Sequence, residues 1–244
     1  MPFGLTNSPA TIQSYIDDCL HPYIDNFAVC CLENILIYSA NENEHEERRR
    51  QVLQRLQEFG LYCKDAKCPF GVLEVGFLGF AITPDGVGME SDRISTIEDW
   101  MTPKSVRDVQ VLLGFTNFYR RFIRKYAKVT LPLTELLKKP DTSPRGKKGT
   151  YPAKWEWTWQ AEVELRKLKR TCPEAPILQH LDPAKPIIPQ TDASGFAIAG
   201  LLNQYNVFGV LRHVNFYYWK CSSAEQNYDT YERELFAIVE TLNQ

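Results

Sequence analysis

The chain has 244 residues, 44% of them hydrophobic and 12% aromatic, which supplies cores for one large domain or two smaller ones and excludes disorder throughout. No run of eighteen apolar residues occurs, and the start MPFGLTNSPA lacks the basic-then-apolar pattern of a secretory signal, so the sequence argues for an intracellular protein, neither membrane-inserted nor secreted. The net charge of −2 conceals a division: residues 101–150 hold twelve Lys or Arg against three Asp or Glu, a net of +9 against −11 elsewhere, so a polyanion meets that segment first.

Taken in order, Ser8 is placed as an N-cap and Pro9 at the first helical position, with Ile12, Ile16, Cys19 and Leu20 at helical spacing behind them. Phe27 to Leu32 and Ile35 to Tyr38 are apolar and β-prone, and Glu33 and Asn34 between them predict a hairpin with an acid at its tip. Residues 44–59 carry Val52, Leu53, Leu56 and Phe59 on one stripe and end at Gly60, the pattern of an amphipathic helix with a glycine stop. Two strands are expected next, Leu61 to Cys63 and Val75 to Ile82, the second ended by Pro84, Asp85 and Gly86. This order of helix, hairpin, helix and strands is an α+β layer, not a parallel wind.

From Ser91 the chain turns helical and basic, with Ser91 and Ser105 as N-caps. Residues 138–154, KKPDTSPRGKKGTYPAK, are almost free of apolar side chains and read as a linker. A charged helix is expected near 160–171. Three strands follow at Ile187 to Ser194, Ala197 to Asn203 and His213 to Tyr218, and then a helix from Thr230 to Leu242. A sheet with one helix reads as an unfinished domain, cut short at Gln244.

Cys19, Cys30, Cys31, Cys63, Cys68, Cys172 and Cys221 form no Cys-x-x-Cys pair and have no histidine at zinc-ligand spacing, so they read as core thiols of a reducing compartment. Phe115, Phe118, Tyr119 and Phe122 have a spacing that suits a core better than a base-stacking platform. His21, His45, His180 and His213 form no constellation.

Six strings in collinear order carry a resemblance: MPFGLTNSPATIQ at 1–13, CLENILIYS at 31–39, VGFLGFAITPDG at 75–86, LLGFTNFYRRFI at 112–123, PLTELLKK at 132–139 and QTDAS at 190–194. In order and spacing they resemble gypsy-type reverse transcriptases, over essentially the whole chain, as in the Pol polyprotein of an LTR retrotransposon. The resemblance implies a partial right-hand polymerase palm over residues 1–90 and a basic helical thumb over 91–138. A linker at 139–154, a connection at 155–185 and a truncated ribonuclease H-like α/β domain at 186–244 complete the expected order. It further implies that Pro2, Phe3 and Gly4 line the incoming-nucleotide pocket, that Phe77, Leu78 and Gly79 belong to the primer grip, and that Lys104, Arg107, Arg120, Arg121, Arg124 and Lys125 meet nucleic acid.

The family's chemistry is RNA-directed DNA polymerisation and ribonuclease H cleavage of an RNA–DNA hybrid, with Mg²⁺ held by carboxylates as cofactor. Where the family has two adjacent aspartates at the hairpin tip, after an aromatic and an apolar residue, this chain reads Cys31, Leu32, Glu33 and Asn34. Glu33 keeps the charge but lengthens its arm by roughly 1.5 Å, large against the octahedral demands of Mg²⁺; Asn34 keeps an oxygen and loses the charge. Asp192 and Glu234 match two of the family's four ribonuclease H acids. Pro189 removes a ladder N–H in the first of those strands.

The family's remaining palm carboxylate is expected upstream of residue 1, and the other two ribonuclease H acids beyond Gln244. Losing even about 4 kcal/mol of transition-state stabilisation slows a reaction roughly a thousandfold, so both centres are expected to be degenerate, with Glu33, Asp192 and Glu234 as weakened metal ligands. Three readings compete: an enzyme completed by other Pol segments or a homodimer, a non-catalytic remnant that grips duplex or hybrid through the basic thumb, and a decayed transposon product.

Overall fold

The computed structural model describes residues 5–138 and 155–243, and the chain divides into two compact units, Met1–Leu78 and Gly79–Gln244. Pro2, Phe3, Gly4 and most of the expected linker lie outside the described residues.

The first unit begins with α1 (Ser8–Leu20), whose N-cap is Asn7; Ser8 is the first helical residue and Pro9 the second, one position later than expected. The hairpin strands are β1 (Ala28–Cys31) and β2 (Asn34–Ile37), in register from Ala28↔Ile37 to Cys31↔Asn34. The tip is therefore Leu32–Glu33, and Asn34 is already a strand residue, which corrects the expected pair by one position. The physical cause is Leu32 at φ +52°, which closes a two-residue loop that usually recruits Gly, Asn or Asp.

Helix α2 (Glu42–Glu58) is capped by Asn41, whose side chain accepts from Glu44 N–H. At its other end Gly60 takes φ +68°, Gly60 N–H bonds Gln57 O, and Leu61 N–H bonds Leu56 O at 2.8 Å. Those two bonds make a Schellman cap. Leu61 thus spends its donor on the helix, and 61–63 is not the expected strand. Ile16, Cys19, Leu20, Phe27, Ala28, Val52 and Leu56 form the core of this unit. It closes with β3 (Val75–Phe77), where Leu78 at φ +53° and Gly79 at φ +86° make a turn that splits the strand expected over 75–82.

The second unit opens with β4 (Phe80–Thr83) and β5 (Gly86–Met89), paired antiparallel across Pro84–Asp85. Sequence reasoning missed β5, because Gly-Val-Gly-Met lacks a β-prone pattern. Its far edge is taken by Leu178, which exchanges hydrogen bonds of 2.8 and 2.9 Å with Val87. Gly86 sits at φ +146°, where a Cβ would meet Leu178 O at 2.1 Å.

Four helices follow: α3 (Ser91–Glu98), α4 (Val106–Phe118), α5 (Tyr126–Glu135) and α6 (Trp159–Thr171), with a 3₁₀ turn at Arg120–Phe122. Ser105 caps α4 as expected, accepting from Asp108 N–H, whereas Glu90 precedes α3 and Ser91 lies inside it. Ile97, Leu112, Phe122, Ile123, Leu133, Leu165, Leu168 and Leu178 are fully or nearly fully buried in one cluster. Tyr119 and Phe122 are buried and Phe115 is partly buried, as their spacing predicts, whereas Phe118 stacks on Phe80 at 5.0 Å but is 52% exposed, which corrects the core reading for that ring.

The remaining sheet is β6 (Ile188–Ala193), β7 (Ala197–Tyr205) and β8 (Leu211–Lys220), antiparallel in that order. Pro189 pairs with Leu202 on the edge strand, where a missing donor is tolerated, so the expected disruption does not arise. Helix α7 (Thr230–Leu242) has the predicted bounds and starts from a capping box between Asp229 and Glu232. It lays Ala237 and Thr241 on the sheet and leaves Tyr231, Leu235, Ile238 and Leu242 exposed on its outer face.

Of the seven cysteines, Cys19, Cys172 and Cys221 are buried as expected. Cys63 is exposed and Cys30, Cys31 and Cys68 are half-buried, which corrects the reading of all seven as core thiols. No helix among the described residues is long and apolar enough to cross a membrane.

One titration follows from β8. His213 Nδ1 lies 2.8 Å from Asn203 Oδ1, so that nitrogen carries a proton; burial first, then Arg124 and Arg212, hold its pKa below the ordinary value. The unfolded chain binds this proton more readily, so the contribution to stability is present above the unfolded pKa and is lost as pH falls through the folded one. Unfolding midpoints taken from about pH 8 to about pH 5 are expected to fall for the native chain more steeply than for His213→Gln. Parallel curves would remove the assignment.

Candidate functional site

The hairpin of the first unit is held from behind. Leu32 N–H donates to Gln13 Oε1 at 2.6 Å, and Gln13 Nε2 donates to Asp17 Oδ1 at 2.7 Å, one helical turn along α1. Cys30 Sγ donates to Leu32 O at 3.6 Å, and burial, followed by Asp17, pushes that thiol up to about 11. The left-handed residue at the tip is therefore bonded at both its N–H and its C=O. A cavity of about 400 Å³ opens beside it, lined by Leu5, Thr6, Pro9, Ile12, Leu32 and Glu33. Gln13 was missed as a functional residue, although it ends the MPFGLTNSPATIQ string four residues before Asp17.

Glu33 is exposed at the tip, Asn34 is exposed at the start of β2, and Asp17 is engaged with Gln13. A two-metal phosphoryl-transfer centre needs several anionic oxygens converging within a few ångströms. Here one carboxylate reaches the tip, beside a neutral amide. The described residues do not fit a Mg²⁺ cage at the hairpin, and among them no group of three or more His, Cys, Asp or Glu is placed to hold a metal.

A test of the brace is local. Gln13→Leu leaves the Leu32 N–H without its partner and is expected to cost about 1–2 kcal/mol, with faster amide exchange confined to 30–35. Unchanged exchange there would mean that the turn stands without Gln13.

In the second unit, Asp192 pairs with Ala199 and Ala199 with Tyr218, so the three share one face of the sheet with Leu201 and Phe216. That face looks toward the turn after the 3₁₀ segment: Arg124, Lys125, Gln190, Asp192, Phe216 and Tyr218 line a cavity of about 190 Å³. Burial raises the Tyr218 phenol, and the Lys125 backbone and the Arg124 charge oppose that shift. Helix α7 packs on the opposite face, against Ala193, Ile198, Gly200 and Tyr217. Glu234 lies exposed on α7, the helix on that opposite face, while Asp192 is exposed on β6.

The basic residues differ from those of α2 in a way composition hides. On α2, Arg48, Arg49, Arg50 and Arg55 are each paired with Glu44, Glu46, Glu47 and Glu58 respectively. Lys104, Arg107, Arg120, Arg121, Arg124, Lys125 and Lys128 are exposed, and among the described residues none has a carboxylate within ion-pair distance. Phe77, Leu78 and Gly79 stand at the turn after β3, and Tyr119 donates its hydroxyl to Gly79 O at 3.1 Å.

Residues 1–82 match the family model for reverse transcriptase (RNA-dependent DNA polymerase), and residues 157–244 match that for the RNase H-like domain found in reverse transcriptase. The chain is 32% identical over 242 residues to the Tf2-7 and Tf2-3 transposon polyproteins of Schizosaccharomyces pombe, a span of 99% of this chain and 17% of each polyprotein. It belongs to the reverse transcriptase and RNase H-like region of retrotransposon polyproteins.

Solved structures give the same fold. The foamy viral protease-reverse transcriptase in complex with an RNA/DNA hybrid superposes with a TM-score of 0.79 at 23% identity, over 100% of this chain and 31% of that one. The same viral protein in complex with dsDNA gives 0.80 at 24%, over 100% of this chain and 48% of that one.

Proposed function

We propose that this chain binds duplex nucleic acid, an RNA–DNA hybrid or double-stranded DNA, through the basic surface between Lys104 and Lys128, and that the described residues alone do not catalyse polymerisation or hybrid cleavage. The observation that carries the reading is the contrast in ion pairing: cations already matched to carboxylates gain little from phosphate, whereas seven unmatched ones release counterions when they meet it. Hybrid and dsDNA occupy the foamy viral proteins that share the fold, which supports the same ligand class here. In this reading residues 1–90 serve as palm, 91–138 as thumb, 155–185 as connection and 186–244 as the ribonuclease H-like part. Pro2, Phe3 and Gly4 border the nucleotide pocket and Phe77, Leu78 and Gly79 the primer end.

Loss of catalysis rests on chemistry. The hairpin offers Glu33 and, one residue on, a neutral Asn34 where two aspartates are needed, and among the described residues no group of three or more His, Cys, Asp or Glu is placed to hold a metal. The enzyme alternative requires further Pol segments, or a second copy, to bring missing carboxylates to Glu33 or Asp192, with Mg²⁺ as the cofactor.

Fluorescence anisotropy with a labelled hybrid and a labelled DNA duplex, over a range of salt, tests the binding. Expected is affinity that falls steeply with salt, with a slope of about −0.9 per phosphate contacted, and differs little between sequences. Absence of binding at low salt would end the reading. Primer extension or hybrid cleavage by the purified chain with Mg²⁺ or Mn²⁺, lost in Glu33→Ala or Asp192→Ala, would overturn the non-catalytic half.

A further inference from the structure

We propose that Cys63 and Cys68 form a dithiol site that an anionic small-molecule disulfide, of the oxidised glutathione class, closes to an internal disulfide. The two residues flank a 3₁₀ turn, Asp65–Lys67, in which Lys67 N–H bonds Lys64 O at 2.8 Å and Cys68 N–H bonds Asp65 O at 2.9 Å. The turn folds the chain back on itself. Cys68 Sγ donates to Lys64 O at 3.3 Å, which turns this thiol back onto the peptide that follows Cys63. Both thiols border one cavity of about 240 Å³ in the first unit.

Access favours Cys63, the one exposed thiol among the described cysteines; Cys30, Cys31 and Cys68 are half-buried, and Cys19, Cys172 and Cys221 are buried and closed to a reagent in solution. Lys64 and Lys67 are exposed on either side of the turn and attract an anionic disulfide. Among the described residues no third His, Cys, Asp or Glu joins the two thiols as a metal cage, so sulfur exchange is the chemistry the site offers.

The exchange balances in two steps. The Cys63 thiolate attacks one sulfur of the small disulfide, whose S–S bond breaks; one thiolate leaves, and a mixed disulfide remains on Cys63. The Cys68 thiolate then attacks the Cys63 sulfur and expels the second small thiolate. Two protein thiols lose two protons and two electrons; the small disulfide is reduced to two thiols. Burial, and then the neighbouring Cys68, raise the Cys63 thiol above its ordinary value, so the rate climbs with pH as thiolate forms. Closure pins residues 63–68, one wall of the cavity whose other walls include Ile35, Ile37, Val52 and Leu56.

The native chain is treated with oxidised glutathione, quenched in acid at intervals and mapped by mass. Trypsin cuts after Lys64 and Lys67, so the disulfide joins two peptides that are otherwise separate. Expected is a Cys63–Cys68 link ahead of modification at the other five cysteines, formed roughly tenfold or more faster than in denaturant and faster at higher pH. Cys68→Ser is expected to stop at a glutathione adduct on Cys63. A stable adduct on Cys63 in the unsubstituted chain, or a link that forms no faster than in denaturant, overturns the proposal.

Discussion

A chain carrying Arg120→Glu, Arg121→Glu and Arg124→Glu is expected to bind a hybrid or DNA duplex roughly a hundredfold to a thousandfold more weakly at moderate salt, with a salt slope flatter by about three units. Each arginine that meets a phosphate releases about one counterion, and reversal both removes that gain and adds repulsion. All three side chains are exposed around the 3₁₀ turn, while Phe122 and Ile123 between them fill the core, so the substitutions leave the buried side chains in place and remove one contact, that of Arg121 over the Phe122 ring at 5.9 Å. The control lies on α2: Arg49→Glu and Arg50→Glu lower the net charge by four, against six for the triple change, but remove cations already paired with Glu46 and Glu47. Those are expected to weaken binding by less than about threefold. Equal losses in the two sets would mean that total charge, not the surface between Lys104 and Lys128, governs binding.

The largest structural effect is expected at Gly200. A Cβ there would lie 2.0 Å from Thr241 Oγ1 and 2.7 Å from its Cβ, because α7 crosses β7 at this point with no side chain between the backbones. Thr241 is fully buried and donates its hydroxyl to Ala237 O, so it has no empty space to rotate into. Gly200→Ala is therefore expected to lift the helix off the sheet at a cost of about 2–4 kcal/mol, seen as lost exchange protection in β7 and α7. Thr241→Ala in the same chain removes Oγ1 and Cγ2 and is expected to recover part of the loss, whereas the two changes would simply add if they acted independently. Simple additivity would show that the close approach is not what constrains Gly200.

Long periodic segments were legible from sequence: α7 has the bounds its stripe predicts, and α2 ends at Gly60 because the glycine takes the left-handed position of its cap. Shorter elements were decided by partners that a linear string does not contain. The hairpin tip moved by one residue because Leu32, not Asn34, adopts the positive φ, with Gln13 and Cys30 bonding it on either side. Leu61 to Cys63 is β-prone in composition but has its first donor committed to the helix cap, and β5 exists because Leu178 comes back to pair with Val87.

At the candidate sites the residue types were legible and their company was not. Composition located the positive segment, yet the pairing that separates Arg49 from Arg124 depends on glutamates one helical turn away. Asp192 and Glu234 were identifiable as acids of the right motif. Which face of the sheet Asp192 serves follows from the β6–β7 register, and that is a property of the folded sheet.

The outer face of α7 has a practical consequence for handling the protein. Tyr231, Leu235, Ile238 and Leu242 recur at alternating steps of four and three residues, a continuous greasy ridge along the helix. Salts of the sulfate type strengthen association of such ridges while they strip polyanions from basic surfaces. Washing contaminating nucleic acid away with ammonium sulfate therefore drives the same molecules toward precipitation or adhesion to hydrophobic resins, whereas chloride releases the polyanion with far less salting-out.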